Sequence, residues 1–146
     1  MLTQGTLIAP GPVLLDTCAA LWFMGKAPIS EISRNTIQAA GASGKGVYVS
    51  PFSAWEIGML VAKGRIQLSL EPQIWFNTLL AKPGVRLAPL TPEILLNSTA
   101  LPGVLPNDPA DRIIASTART HGYWVITRDR PLLNYAQQGH IQAIAC

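Results

Sequence analysis

Five short apolar runs punctuate the chain, and each is bounded by turn, cap or charged residues. They are Val13-Leu14-Leu15 before Asp16, Val47-Tyr48-Val49 before Ser50-Pro51, residues 85–88 between Gly84 and Pro89, Trp124-Val125-Ile126 before Thr127, and residues 141–144 after Gly139. The apolar positions are consecutive rather than alternating, the pattern of strands covered on both faces. Helix-length segments fill the gaps. Ser30 heads one that runs toward Ala40 and stops at Gly41, and Ser50 with Pro51 opens one that stops near Gly64. Residues 71–81 read as a third, ended by Pro83-Gly84, and Thr91-Pro92-Glu93 opens a fourth toward Leu101. Asp108-Pro109-Ala110-Asp111 opens a fifth that ends at Gly122, and Pro131 starts a last short one. Strands alternating with helices predict an α/β domain in three layers, α/β/α, around a central, mainly parallel sheet of about five strands. Ligands of such sheets bind beyond the carboxyl ends of the strands, where strand order reverses. The residues that follow each apolar run are therefore the ones to inspect.

Acidic residues gather there. Asp16 follows the first run directly, and Asp129 follows the fourth in Thr127-Arg128-Asp129. Glu56 falls in the first turns of the helix entered from the second run, and Asp111 in the first turn of the helix leading into the fourth. Asp16 and Asp129 also have a plain reading as N-caps. Asp108, with Pro109 after it and Asp111 three residues on, is best read as a cap. Glu56 shares a helical stripe with Phe52, Met59 and Leu60, and Asp111 heads the stripe Ile114, Ala115, Ala118. A carboxylate on an apolar stripe is costly to bury unless it is paired or binds a cation. Carboxylates that converge repel one another unless a cation sits among them. With no His/Cys cluster in the chain, the hard divalent ions Mg²⁺ or Mn²⁺ are expected. Such a site suits phosphodiester hydrolysis, with Arg112, Arg128 and Arg130 as candidate contacts for flanking phosphates.

Composition narrows the setting. Of 146 residues, 49% are hydrophobic and 13% charged, about half the roughly 25% charged fraction usual for soluble domains. A disordered tail, which needs low hydrophobicity and high charge, is excluded. The longest uncharged stretches, 1–15 and 94–107, are broken by Pro10, Pro12, Pro102 and Pro106, and neither reaches about 18 apolar residues, so no membrane span is expected. So few charges cannot cover the surface, and apolar area should remain for a partner. The net charge of +3 is compatible with a polyanionic partner. Cys18 and Cys146 form no C-x-x-C pair and read as free thiols, and residues 1–12 carry no basic leader-like segment. A reducing cytoplasm is the expected compartment.

The stretches around the acids resemble a known family. Leu14-Leu15-Asp16-Thr17-Cys18-Ala19-Ala20-Leu21-Trp22, Ser50-Pro51-Phe52-Ser53-Ala54-Trp55-Glu56-Ile57, Asp108-Pro109-Ala110-Asp111-Arg112-Ile113-Ile114-Ala115 and Val125-Ile126-Thr127-Arg128-Asp129 occur in the order seen in PIN-domain ribonucleases. They look most like the VapC-type toxins of bacterial toxin–antitoxin pairs. The resemblance spans about residues 13–144, so residues 1–12 read as an N-terminal extension and 13–146 as a PIN-like domain. It implies a Mg²⁺- or Mn²⁺-dependent endoribonuclease, usually homodimeric, that cuts RNA and is neutralised by a small VapB-like antitoxin. It also implies roles: Asp16 and Asp111 as direct metal ligands, Asp129 completing the metal shell, and Glu56 orienting or deprotonating the attacking water. Thr17 and Thr127 would hydrogen-bond the carboxylates from behind. The chain departs from the family pattern at Leu60, where a basic residue is common and Lys63 stands nearby, and at Pro106-Asn107, where a His is common.

Other chemistries fit less well. The phosphate-binding pattern G-x-x-x-x-G-K-[ST] fails, because Gly44-Lys45 is followed by Gly46 and preceded at the required place by Ala39. His121 sits just before Gly122, where a cation complements a helix C-terminus, so a histidine-pair nuclease is disfavoured. Trp22, Trp55, Trp75 and Trp124 read as core or dimer contacts rather than a base-stacking platform. Two alternatives to the toxin remain: a PIN-type nuclease of RNA maturation, and a catalytically inactive PIN-like module held in a regulatory complex.

Overall fold

The computed structural model describes residues 11–25 and 28–146. The expected extension lies outside them, apart from Gly11 and Pro12. The strands are β1 (Val13–Leu15), β2 (Val47–Val49), β3 (Val85–Leu87), β4 (Trp124–Thr127) and β5 (Gln142–Ala145). The helices among the described residues are α1 (Thr17–Met24), α2 (Glu31–Ala42), α3 (Pro51–Ala62), α4 (Pro72–Leu80), α5 (Pro92–Asn97), α6 (Pro109–His121) and α7 (Arg130–Gln137).

All neighbouring strands pair in parallel, in the order β3-β2-β1-β4-β5. Successive β1 side chains point to opposite faces, as the pleat requires, and so divide the core in two. Val13 and Leu15 pack with Ala19 and Ala20 of α1, Ile37 of α2, Ile57 of α3, and Trp75 and Leu79 of α4. Leu14 and Val125 pack on the other side with Ile114, Ala115 and Ala118 of α6 and with Leu132 and Tyr135 of α7. The sheet is thus covered on both faces, as the apolar runs predicted. Full burial on both faces, however, belongs to the central strands. β3 exposes Arg86 and Leu87, and β5 exposes Gln142 and Ala145, because an edge strand lacks one neighbour.

Helix starts follow the predicted caps. Asp16, Ser30, Ser50, Thr91, Asp108 and Asp129 each accept a hydrogen bond from a backbone N–H in the first turn of the helix they head. Two helix ends differ from the reading. α2 runs one residue past Gly41, and α5 stops at Asn97 rather than near Leu101. There the Ser98 and Thr99 hydroxyls bond back to the Leu95 and Leu96 carbonyls, and the chain turns. Gly84, at φ +78°, lets the turn before β3 approach α2, since a Cβ there would meet Gly41 Cα at 2.7 Å.

Candidate active site

The chain steps outward from β1 to β2 to β3, then returns to lay β4 on the other side of β1. Strand order therefore reverses between β1 and β4, and the crevice beyond their carboxyl ends is the expected ligand position. Asp16 leaves β1 and Asp129 leaves β4 at this place. Glu56, in the second turn of α3, and Asp111, in the first turn of α6, reach it from the flanking helices. The four carboxylates line one cavity of about 320 Å³.

Each acid is held by its own neighbours. Asp16 Oδ1 accepts from Ala19 N at 2.7 Å, which caps α1, and Oδ2 accepts from the Thr127 hydroxyl. The same Thr127 Oγ1 accepts from Asp129 N at 2.9 Å, so one buried side chain ties the acids after β1 and β4 together. Asp129 Oδ2 accepts from Leu132 N at 3.0 Å and caps α7. Capping and pocket-lining, alternatives in the sequence, are in both cases the work of one side chain. Thr17 Oγ1 donates to Glu56 Oε1 at 2.5 Å and lies 2.9 Å from Ser53 Oγ. This chain of hydroxyls joins α1 to α3.

The electrostatics are those of crowded acids. Burial raises the Asp16 carboxyl above its ordinary range against the opposing bonds from Thr127 and Ala19, and the charge of Asp129 adds to the rise. Burial also raises Glu56, with Thr17 opposing and Asp108 and Asp16 reinforcing. Asp111 is pushed up to about 8 by burial first, then by the charge of Asp129, a hydrogen bond to it, and the charges of Asp108 and Asp16. Asp111 is thus harder to ionise than an ordinary carboxyl. A divalent cation relieves the same repulsion. The donors offered to one are all carboxylate and hydroxyl oxygens, which suits a hard ion. Among the described residues, no group of three or more His, Cys, Asp or Glu side chains stands already arranged to hold a metal. The acids fit a cation by donor chemistry and convergence, and a bound cation would favour the ionised form of Asp111.

The structure revises several readings of individual residues. The buried face of α3 is Ser53 and Ile57, while Phe52, Glu56, Met59 and Leu60 are half-buried along its side. Glu56 thus stands at the border of the core rather than on its apolar face. Arg112 does not line this cavity: Nε donates to Ser98 O at 2.8 Å and Nη1 to Leu105 O at 2.9 Å, pinning the loop between α5 and α6. Arg128 lines the pocket, and Arg130 is exposed at the start of α7. Trp55 is 59% exposed and stacks on Phe52, so it is not a core residue, whereas Trp75 is buried. His121 is exposed at the end of α6 and His140 leans on Tyr135, far apart in role from any shared site. Cys146 is buried and Cys18 exposed, both free.

Some pocket residues had other readings in the sequence, Asp108 as a cap, Cys18 as a free thiol and Trp22 as a core or dimer contact. Asp108 caps α6 through Ala110 N at 3.0 Å and also lines the cavity. Cys18 and Trp22 line it too, four apart on one face of α1. Their shared face on the helix capped by Asp16 was available as a signal, but its apolar character masked it.

Comparison with known proteins agrees with this architecture. The PIN domain profile matches residues 13–137. The chain belongs to the PIN-domain family. It is 34% identical over 123 residues to Ribonuclease VapC22 of Mycobacterium tuberculosis, covering 84% of this chain and 91% of that protein, which places it among the VapC-type PIN domains. The fold is shared with the VapBC2 structure from Rickettsia felis, determined with a promoter DNA fragment, at a TM-score of 0.62 and 12% identity over 92% of this chain and 98% of that one. It is shared as well with a domain of a functionally unknown protein from Methanocaldococcus jannaschii, at a TM-score of 0.55 and 16% identity over 93% and 91%.

Proposed function

We propose that this PIN domain is a divalent-metal-dependent endoribonuclease and the toxin of a toxin–antitoxin pair, working in the cytoplasm and neutralised by a VapB-like antitoxin. The observation that carries the reading is the convergence of Asp16, Glu56, Asp111 and Asp129 on one cavity at the switch point of the sheet. The ribonuclease and VapC character of the Mycobacterium tuberculosis relative supports the choice of RNA and of a toxin role.

Asp16, Asp111 and Asp129 would hold Mg²⁺ or Mn²⁺. When bound, such an ion neutralises phosphate oxygens and lowers the pKa of a water. The protein's own groups do the rest. Thr17 occupies Glu56 Oε1, leaving Oε2 to orient the attacking water and take its proton. Thr127 fixes Asp16, and Arg128 and Arg130 hold the flanking phosphates.

The test is cleavage of single-stranded RNA by the purified chain with Mg²⁺, with Mn²⁺ and with EDTA, beside Asp16→Asn and Asp111→Asn. Cleavage that needs the ion and falls at least about 100-fold in both variants supports the reading, as does growth arrest on induction that Asp111→Asn abolishes. A wild type that cuts nothing with Mn²⁺ and leaves growth unchanged would make the chain a binding module instead.

A further inference from the structure

Arg128 lines a cavity whose other charged residues are the acids Asp16, Glu56, Asp108, Asp111 and Asp129. Coulomb attraction should fold its guanidinium onto them. Its contacts lie elsewhere: the guanidinium carbon sits 3.8 Å from the centre of the Trp22 ring, and Nη2 donates to the Pro28 carbonyl at 2.8 Å. Arg128 is exposed, so burial does not hold it there. A guanidinium stacked on an indole gives up only its face, and apart from the Nη2 hydrogen donated to Pro28 the N–H groups on its edge stay free to bind an anion in a plane. The backbone below it is rigid, because Thr127 and Asp129 on either side are both bonded into the acidic cluster.

We propose that Trp22 is a positioning residue for RNA binding, which acts through Arg128. Resting on the proposed ribonuclease function, this assigns to Trp22 two effects from one stack. The indole holds the guanidinium off the carboxylates, so the cation site keeps its negative charge. It also presents the free edge of Arg128 to a phosphate of the RNA next to the one being cut. Without the ring, Arg128 collapses onto an acid such as Asp129, and both effects are lost together.

The experiment compares Trp22→Leu, Trp22→Phe, Arg128→Ala and the double variant Trp22→Leu/Arg128→Ala with wild type. Kinetics at saturating Mn²⁺ give KM and kcat. The anisotropy of a fluorescein-labelled single-stranded RNA, titrated at several salt concentrations on the Asp111→Asn background, gives binding apart from cleavage. Trp22→Leu should raise KM about as much as Arg128→Ala, with kcat within about twofold, and should raise the Mn²⁺ concentration for half-maximal rate. Both should lower the slope of log Kd against log salt by about 0.7, the loss of one phosphate contact on a single strand. Trp22→Phe, which keeps an aromatic face, should restore most of the KM. In the Arg128→Ala background, Trp22→Leu should add nothing to KM. An unchanged KM in Trp22→Leu, or an equal rise with and without Arg128, overturns the proposal. A wild type that neither binds nor cuts RNA overturns the proposed function itself. Should Trp22→Leu fail to fold, Arg128→Lys decides: it keeps the charge but not the flat stack, and recovery of wild-type KM would overturn the role of the ring.

Discussion

Asp111 is the residue on which the site's charge balance turns. Its carboxyl titrates near 8 in the folded chain and near 3.8 when unfolded. A raised folded value means that folding favours the protonated form, so this contribution to stability is complete below the unfolded value and is lost as pH climbs through the folded one. In EDTA, melting temperature should therefore decline between about pH 4 and 8, and excess Mn²⁺ should flatten the decline by favouring the ionised form of Asp111. Equal slopes with and without the ion would count against a cation among these acids. Asp111→Asn puts an amide that cannot ionise in place of the crowded carboxyl, so its melting temperature should fall less steeply as pH rises, while cleavage is abolished. Thr127, fully buried and bonded to both Asp16 and Asp129 N, is the opposite case. Thr127→Val keeps the shape but strands two partners, which should cost about 1–3 kcal/mol in denaturant unfolding.

At the scale of elements, α6 has three functions at its first turn. Asp108 caps it, Asp111 faces the cavity, and Arg112 ties it to the Ser98 and Leu105 carbonyls. The loop between α5 and α6 is further fastened by Tyr135 Oη to Pro102 O at 2.5 Å and by paired bonds between the Gln138 amide and the Val104 backbone. Arg112 therefore fastens the first turn of α6, which carries Asp111, to the loop before it. Arg112→Ala should lower unfolding free energy by about 2–3 kcal/mol, since hydrogen bonds from a charged donor are lost. Arg112→Lys should recover little of it, because a point charge cannot replace a planar fork serving two carbonyls. The salt dependence of RNA binding should not change in either variant, and a change would return Arg112 to the phosphate contacts expected from its position beside Asp111.

For the molecule as a whole, sparse charge leaves apolar side chains outside. Trp55, Ile74, Leu96 and Val104 are each more than half exposed. Exposed apolar side chains of this kind mark a surface for a protein partner. The chain should sediment as a homodimer at micromolar concentration, and a VapB-like antitoxin should raise its melting temperature in proportion to its affinity. A monomer unaffected by antitoxin would remove this account.

Much of this architecture was legible along the chain because its causes are local. Three-residue apolar runs, cap residues ahead of each helix and an acid just past a strand are set by neighbours a few positions apart. Asp16 and Asp129 could thus be found, and so could five strands and the helix starts from Ser30 onward. Tertiary structure alone decided the strand order, the approach of Glu56 along the border of α3, the second duty of Asp108 and the diversion of Arg112. It also decided the stack of Arg128 on Trp22. Each of these depends on groups brought together from distant segments, as Thr127 meets Asp16 across 111 residues. A carboxylate's spacing in sequence tells which face of its own helix it shares. Whether that face meets solvent, a carbonyl or four other acids is settled by packing.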